Sequence, residues 1–138
     1  MFEVSREVFA QIVGVALDEY PLEACGLVAG PLSPHDGPGD RGRVFYPCAN
    51  DAASARVYTV NPKDFMRAER DADDRDWAIN SVVHSHTHSE PYPSPTDVEA
   101  AVSPDWHYII VSLKREAPEV RSYRIVDGDI VSEPLVVV

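Results

Sequence analysis

Two histidines, a serine and an aspartate fall within one short stretch, Ser81 to Asp97, reading SVVHSHTHSEPYPSPTD. The apolar pair Val82-Val83 leads into His84 and His86 as the end of a buried strand. Side chains alternate faces on a strand, so His84 and His86 point the same way and can reach one point in space. Seven residues separate His86 from Ser94, and two more separate Ser94 from Asp97. Two neutral imidazole nitrogens and one carboxylate oxygen suit a zinc ion. Three protein ligands with a fourth position left for water is the pattern of a catalytic zinc site, not a structural one. Zinc lowers the pKa of such a water to roughly 7 and can polarise a scissile carbonyl.

Each piece also has an ordinary explanation. Ser-Pro-x-Asp opens many helices, with Ser94 as N-cap, Pro95 at the first helical position and Asp97 in the first turn. A His-x-His pair alone is more often exposed or hydrogen-bonded than ligating. The full combination is much rarer than its parts, and the combination is what points to a metal. A second register starts at His86-Thr87-His88 and puts Thr96 and Glu99 in the serine and aspartate places. It lacks the serine, which favours the first register and leaves His88 as a spare ligand or a substrate contact.

At these residues the chain resembles the JAMM (MPN+) metalloprotease family. The family motif needs an upstream glutamate on another element, and Glu23, in Pro21-Leu22-Glu23-Ala24-Cys25-Gly26-Leu27, is similar to the segment carrying it. The resemblance is closer to one branch, the small actinobacterial Mec-type peptidases, which remove cysteine from the C-terminus of a ubiquitin-like sulfur-carrier protein. It runs through His84-Ser85-His86-Thr87, Tyr92-Pro93-Ser94 and Thr96-Asp97-Val98. It resumes at His107-Tyr108 and at Val120 to Gly128, and spares mainly the loop near residues 31–42. It implies one zinc per chain, held by His84, His86 and Asp97. It also implies Glu23 as general acid/base and Ser94 as hydrogen-bond donor to the oxyanion of the tetrahedral intermediate. The implied partner is a sulfur-carrier protein bearing a C-terminal cysteine, its tail lying along a groove as an added strand, in the service of cysteine synthesis. A cation should meet the carboxylate of the released cysteine, and Arg56 is a candidate. Two other readings stand beside this one. The same site could act on another ubiquitin-like conjugate, or the chain could be a noncatalytic MPN-type scaffold. A scaffold has no need of Glu23, His84, His86, Ser94 and Asp97 together. Eukaryotic-type deubiquitinases of the family carry insertions around the site, and the compactness of this chain argues against a ubiquitin-chain role.

The whole chain sets bounds. Its 138 residues suffice for one domain, read here as a single JAMM/MPN+ unit over 1–138, and 44% hydrophobic content supports a core. A formal net charge of -11 argues against nonspecific nucleic-acid binding and against an anionic membrane surface. No apolar run approaches a membrane span, and Met1 to Glu7 lacks the layout of a signal peptide, which together read as a cytoplasmic protein. Cys25 and Cys48 form no Cys-x-x-Cys pair and read as packed thiols rather than a disulfide or a nucleophile.

The elements that must position the site follow from periodicity. Residues 5–20 place Val8, Phe9, Ile12, Val13, Ala16, Leu17 and Tyr20 on one helical face, with Ser5 as cap and Pro21 as stop. Ala24 to Gly30 reads as a buried strand with Glu23 at its mouth. Pro31 to Gly42, rich in Pro, Gly and Asp, reads as a mobile loop or long hairpin connection. Arg43 to Cys48 and Arg56 to Val60 read as strands flanking a polar turn, and Asn61-Pro62 opens a helix to about Asp73. Trp77 to Ser85 is the strand delivering the histidines, Ser94 to about Val102 a third helix, and Trp106 to Leu113 a central strand. His107 on that strand reads as a hydrogen-bonded core histidine. Arg121 to Val126 and Ile130 to Val136 flank the hairpin signal Asp127-Gly128. This order implies a mixed α/β fold, with helices packed on a mixed sheet. The family resemblance implies the JAMM/MPN fold, a curved mixed sheet flanked by about three helices, similar in outline to cytidine deaminases.

Overall fold

The most apolar runs of the chain become the strands that are buried on both faces. In the computed structural model, which describes residues 1–101 and 103–138, these are β2 (Cys25–Pro31), β5 (Trp77–His86) and β6 (His107–Ser112). The other elements are β1 (Phe2–Val4), α1 (Arg6–Glu19), β3 (Arg41–Gly42), β4 (Val44–Cys48), α2 (Pro62–Asp74), α3 (Pro95–Glu99), β7 (Glu119–Val126), β8 (Asp129–Glu133) and β9 (Leu135–Val137). Six strands form one sheet in the order β4-β2-β5-β6-β7-β8. Within it β5 and β6 are parallel and the other pairs antiparallel. The fold is therefore mixed α/β, as the alternation of elements implies.

Each face of this sheet has its own core. Val8, Ile12 and Ala16 of α1 pack with Val28, Val83, Ile109 and Val111. On the other face Ala68 and Ala72 of α2 pack with Leu27, Val82, Tyr108 and Ile110. The expected caps form: the Ser5 hydroxyl accepts from the amide of Val8, and the Asn61 side chain accepts from those of Lys63 and Asp64. At Asp127-Gly128 both residues have positive φ, 51° and 84°, as the tight hairpin turn requires.

Four expectations are corrected. Phe2–Val4, not read as a strand, is the middle of a second, three-stranded parallel sheet, β3-β1-β9. The run Ile130 to Val136 breaks at Pro134, which has no N–H; β8 stays in the large sheet and β9 joins the small one. The segment Arg56 to Val60 is not a strand; among the described residues it forms one isolated bridge, Val60 to Asn50, outside the named strands. Its backbone is tied instead by the Asn50 side chain, which accepts from Ala52 and Thr59 and donates to the carbonyls of Glu23 and Val57. Finally, α3 ends at Glu99, with Ala100 as cap. The expected end near Val102 falls outside the described residues. The stretch Pro31 to Gly42 is a hairpin connection between β2 and β4 that carries a Leu32–Pro38 bridge and β3. It needs Gly30, where an added Cβ would lie 1.7 Å from the carbonyl oxygen of Arg41.

His107 is the hydrogen-bonded core histidine expected of it. Fully buried, it stacks on Phe2 and lies between Glu133 at 2.6 Å and Asp40 at 2.9 Å. It thereby joins β6, β8 and the connection before β3. Burial alone would push the Glu133 carboxyl up. The His107 ring, the chain amino group and the Ser122 hydroxyl outweigh that and bring it to about 2. A carboxylate with a depressed pKa stabilises the fold above its ordinary value of 4.5 and loses that contribution as pH falls through about 2. Glu133→Gln is therefore expected to lower the unfolding free energy at neutral pH by roughly 3 kcal/mol. The deficit should shrink toward pH 3 in urea titrations of both proteins. Equal stability at pH 7 would remove this role.

Candidate metal centre

Local rules place the ligating atoms. His84 and His86 leave β5 on the same face, two residues apart. The capping box of α3 turns Asp97 toward them: Asp97 N donates to the Ser94 hydroxyl, and Ser94 N donates to Asp97 Oδ2 at 2.9 Å. The three atoms meet in a tight triangle. His84 Nε2 and His86 Nε2 are 3.0 Å apart, and each lies 3.1 Å from Asp97 Oδ2. Among the described residues these are the three metal-type side chains whose ligand atoms converge. A tetrahedral ion with bonds of 2.0–2.1 Å would set its ligands roughly 3.3 Å apart, so the triangle needs to open by only a few tenths of an ångström.

The electrostatics fit the same use. Burial keeps His84 below its ordinary pKa against the pull of Asp97, with a smaller push from His86, so its ring is neutral at neutral pH. Burial would raise Asp97, but hydrogen bonds from both histidines and from Ser94 N hold it far below the carboxylate range. His86 is raised despite its burial, because Asp97 and the Glu90 carbonyl oxygen favour the protonated ring. His86 Nδ1 is 2.8 Å from the Glu90 carbonyl, which fixes the ring and directs Nε2 at the triangle.

Glu23 lies outside this ligand set. Its backbone is held by Ser54 and Asn50, and the next amide, Ala24 N, donates to the Ser85 hydroxyl on β5. The carboxyl is 4% exposed and makes no hydrogen bond among the described residues. Burial chiefly raises it from 4.5 to about 7, with His86 opposing and Asp97 adding to the shift. A carboxyl that titrates near neutrality can both take and return a proton. The Ser94 hydroxyl accepts from Asp97 N, and its own proton has no acceptor among the described residues.

The remaining candidates fall at the margin. His88 is exposed and meets the edge of Tyr20, with ring centroids 6.0 Å apart. Thr96 and Glu99 of the alternative register are exposed and do not converge. Arg56 is exposed beside Ala55, whose carbonyl accepts from Thr87. The Cys25 thiol donates to the carbonyls of Cys48 and Ala49, and burial first, then Cys48, pushes it up to about 12. Both cysteines are free thiols, and Cys25 is no nucleophile at neutral pH.

Sequence reasoning did not single out Tyr58. Its ring stacks on His84, with centroids 4.3 Å apart and planes at 18°. The two are far apart in the chain, so no spacing rule links them. Tyr58→Ala is expected to weaken metal binding about tenfold by freeing the His84 ring, and Tyr58→Phe to keep it. Competition with a chromogenic chelator measures both. Unchanged affinity in the alanine variant would remove the role.

A family model described as prokaryotic homologs of the JAB domain matches residues 5–126. The CysO-cysteine peptidase of Mycobacterium tuberculosis (strain H37Rv) is 40% identical over 128 residues, covering 92% of this chain and 84% of that protein. The desampylase of Haloferax volcanii is 32% identical over 98 residues, covering 70% and 67%. The crystal structure of AF2198, a JAB1/MPN domain protein from Archaeoglobus fulgidus, superposes with a TM-score of 0.61 at 18% identity, covering 99% of this chain and 97% of that one.

Proposed function

The chain belongs to the family of prokaryotic JAB-domain homologs, and from that premise we propose that it is a zinc-dependent peptidase acting on the C-terminal tail of a ubiquitin-like sulfur-carrier protein. The bond cut is the amide joining the carrier to a terminal cysteine, and the product is free cysteine. The observation that carries this reading is the triangle of His84 Nε2, His86 Nε2 and Asp97 Oδ2, with Glu23 beside it but outside it. The 40% identity to a CysO-cysteine peptidase supports the choice of substrate.

His84, His86 and Asp97 would hold one zinc ion. Zinc bound there would supply a water activated at neutral pH and polarise the scissile carbonyl. Glu23 takes the proton of the attacking water and delivers it to the leaving amine, a task suited to a buried carboxyl that titrates near 7. The Ser94 hydroxyl donates its unused proton to the carbonyl oxygen as that oxygen becomes an oxyanion. Its lone pair stays with Asp97 N, so capping and catalysis use different parts of one side chain. Arg56 and His88, both exposed near the site, are the residues proposed to meet the carrier tail.

The likeness to a desampylase favours one second reading, cleavage of an isopeptide bond to a ubiquitin-like modifier. Rates on two substrates separate them. One is the carrier with a terminal cysteine in linear linkage; the other is the same carrier joined to a lysine ε-amine. Higher kcat/KM on the linear adduct is expected. Higher kcat/KM on the lysine conjugate would move the assignment to isopeptide cleavage.

A further inference from the structure

Immediately along β5 from the metal triangle lies an apolar cavity of about 320 Å³ that the reaction as described does not use. Its floor is one row of the sheet: Leu27 pairs with Val82, and Val82 with Tyr108. The neighbouring row is Cys25, His84 and Ile110. The step between them is two residues of strand, roughly 7 Å. One wall is Phe65 of α2 and Trp106, whose rings stack. Ala100, the cap of the helix that carries Asp97, also lines it. Tyr58 closes the side facing the metal, so a single ring both stacks on His84 and lines the cavity. The cavity therefore sits between the two elements that present the ligands.

Its chemistry selects an occupant. Among the described residues none that lines it is charged, although the chain carries a net charge of -11. A charged side chain placed there would lose its water without gaining a partner. A branched aliphatic or aromatic side chain would instead bury its surface against Leu27, Val82, Phe65 and Trp106. An extended tail rises along its length as a strand does, so a residue about two positions from the reacting carbonyl reaches this row. On the proposed reaction, on which this inference rests, a single residue leaves, and such a position can only be on the acyl side.

We propose that this cavity is a specificity subsite for an apolar side chain of the carrier tail, about two residues on the acyl side of the scissile amide. Tyr58 is the wall it shares with the metal centre.

The test uses the full chain carrying Glu23→Gln, zinc-loaded, so that bound peptides survive. Peptides ending in cysteine carry glycine throughout the tail except for one leucine, moved in turn through the four positions before the terminal cysteine. Dissociation constants are measured by calorimetry. Leucine at one position is expected to tighten binding about tenfold over the all-glycine peptide, the scale of burying one aliphatic side chain. A flat profile overturns the subsite. Ala100→Trp, made from an exposed rim position, places an indole at the mouth of the cavity. It is expected to abolish the leucine gain, so that the leucine and all-glycine peptides bind this variant alike. Survival of the gain in that variant also overturns the subsite. Cleavage of the same peptides by the wild-type chain scores the reaction separately. Cleavage with no leucine preference removes the subsite and keeps the peptidase. A leucine gain in binding with no peptide cleaved supports the cavity as a binding site and removes the peptidase.

Discussion

Glu23→Gln is expected to bind zinc as the parent chain does and to lose turnover by about 10²–10⁴-fold, the range a positioned general acid/base contributes. Glutamine matches the shape of the side chain but can neither take a proton from water nor return one to the leaving amine. Metal binding should survive because Glu23 is absent from the converging ligand atoms. The same substitution has a second, opposite effect on the metal-free protein. The Glu23 carboxyl is raised to about 7 by burial, so its ionised form is disfavoured in the fold. An acid with a raised folded pKa contributes its stability below its ordinary value of 4.5 and loses it as pH rises through about 7. Metal-free Glu23→Gln should therefore be more stable than the parent at pH 8, by roughly 2–3 kcal/mol, with the difference closing toward pH 4.5. Turnover and zinc content by single-turnover assay and metal analysis, with urea unfolding at the two pH values, read all three effects. Normal cleavage by the glutamine variant would remove the assigned proton transfer.

His86→Ala fails differently, and the contrast separates holding the metal from using it. His86 contributes one corner of the triangle, and its ring is aimed by the Glu90 carbonyl. Without it only His84 and Asp97 remain, and two ligands leave an ion mostly to water. Losing an outer partner of a metal ligand costs roughly 10–100-fold in affinity; losing the ligand itself should cost more and take turnover to background. Zinc content after dialysis is expected to fall from one per chain toward zero. Retention of stoichiometric zinc with normal affinity would place the metal elsewhere.

The triangle was legible because both halves obey local rules. A His-x-His on a strand shares a face whatever the fold, and Ser94-Pro95-x-Asp97 builds a capping box from four consecutive residues. The helices α1 and α2 were legible for the same reason, each carrying its own cap and apolar face. What escaped was non-local. Three residues are too few to show a period, and Phe2–Val4 becomes a strand only through partners near residues 41 and 136. Arg56 to Val60 carries the apolar-aromatic residues of a strand, yet the Asn50 side chain takes hydrogen bonds that a ladder would have made. The same segment brings Tyr58 onto His84, a contact invisible to any spacing rule. Pro134 is a strand breaker, yet the run around it reads as one strand because both sides are apolar. The character of His107 was readable, but its partners Asp40 and Glu133 come from distant parts of the chain.

The central question is whether this chain uses zinc to release cysteine from a protein tail. The direct measurement is intact-mass spectrometry of a ubiquitin-like sulfur-carrier protein bearing a C-terminal cysteine, incubated with the zinc-loaded chain, with and without a chelator. Loss of one cysteine residue is expected, abolished by the chelator and restored by added zinc. An unchanged carrier, in the presence of a chain carrying one zinc, would contradict it.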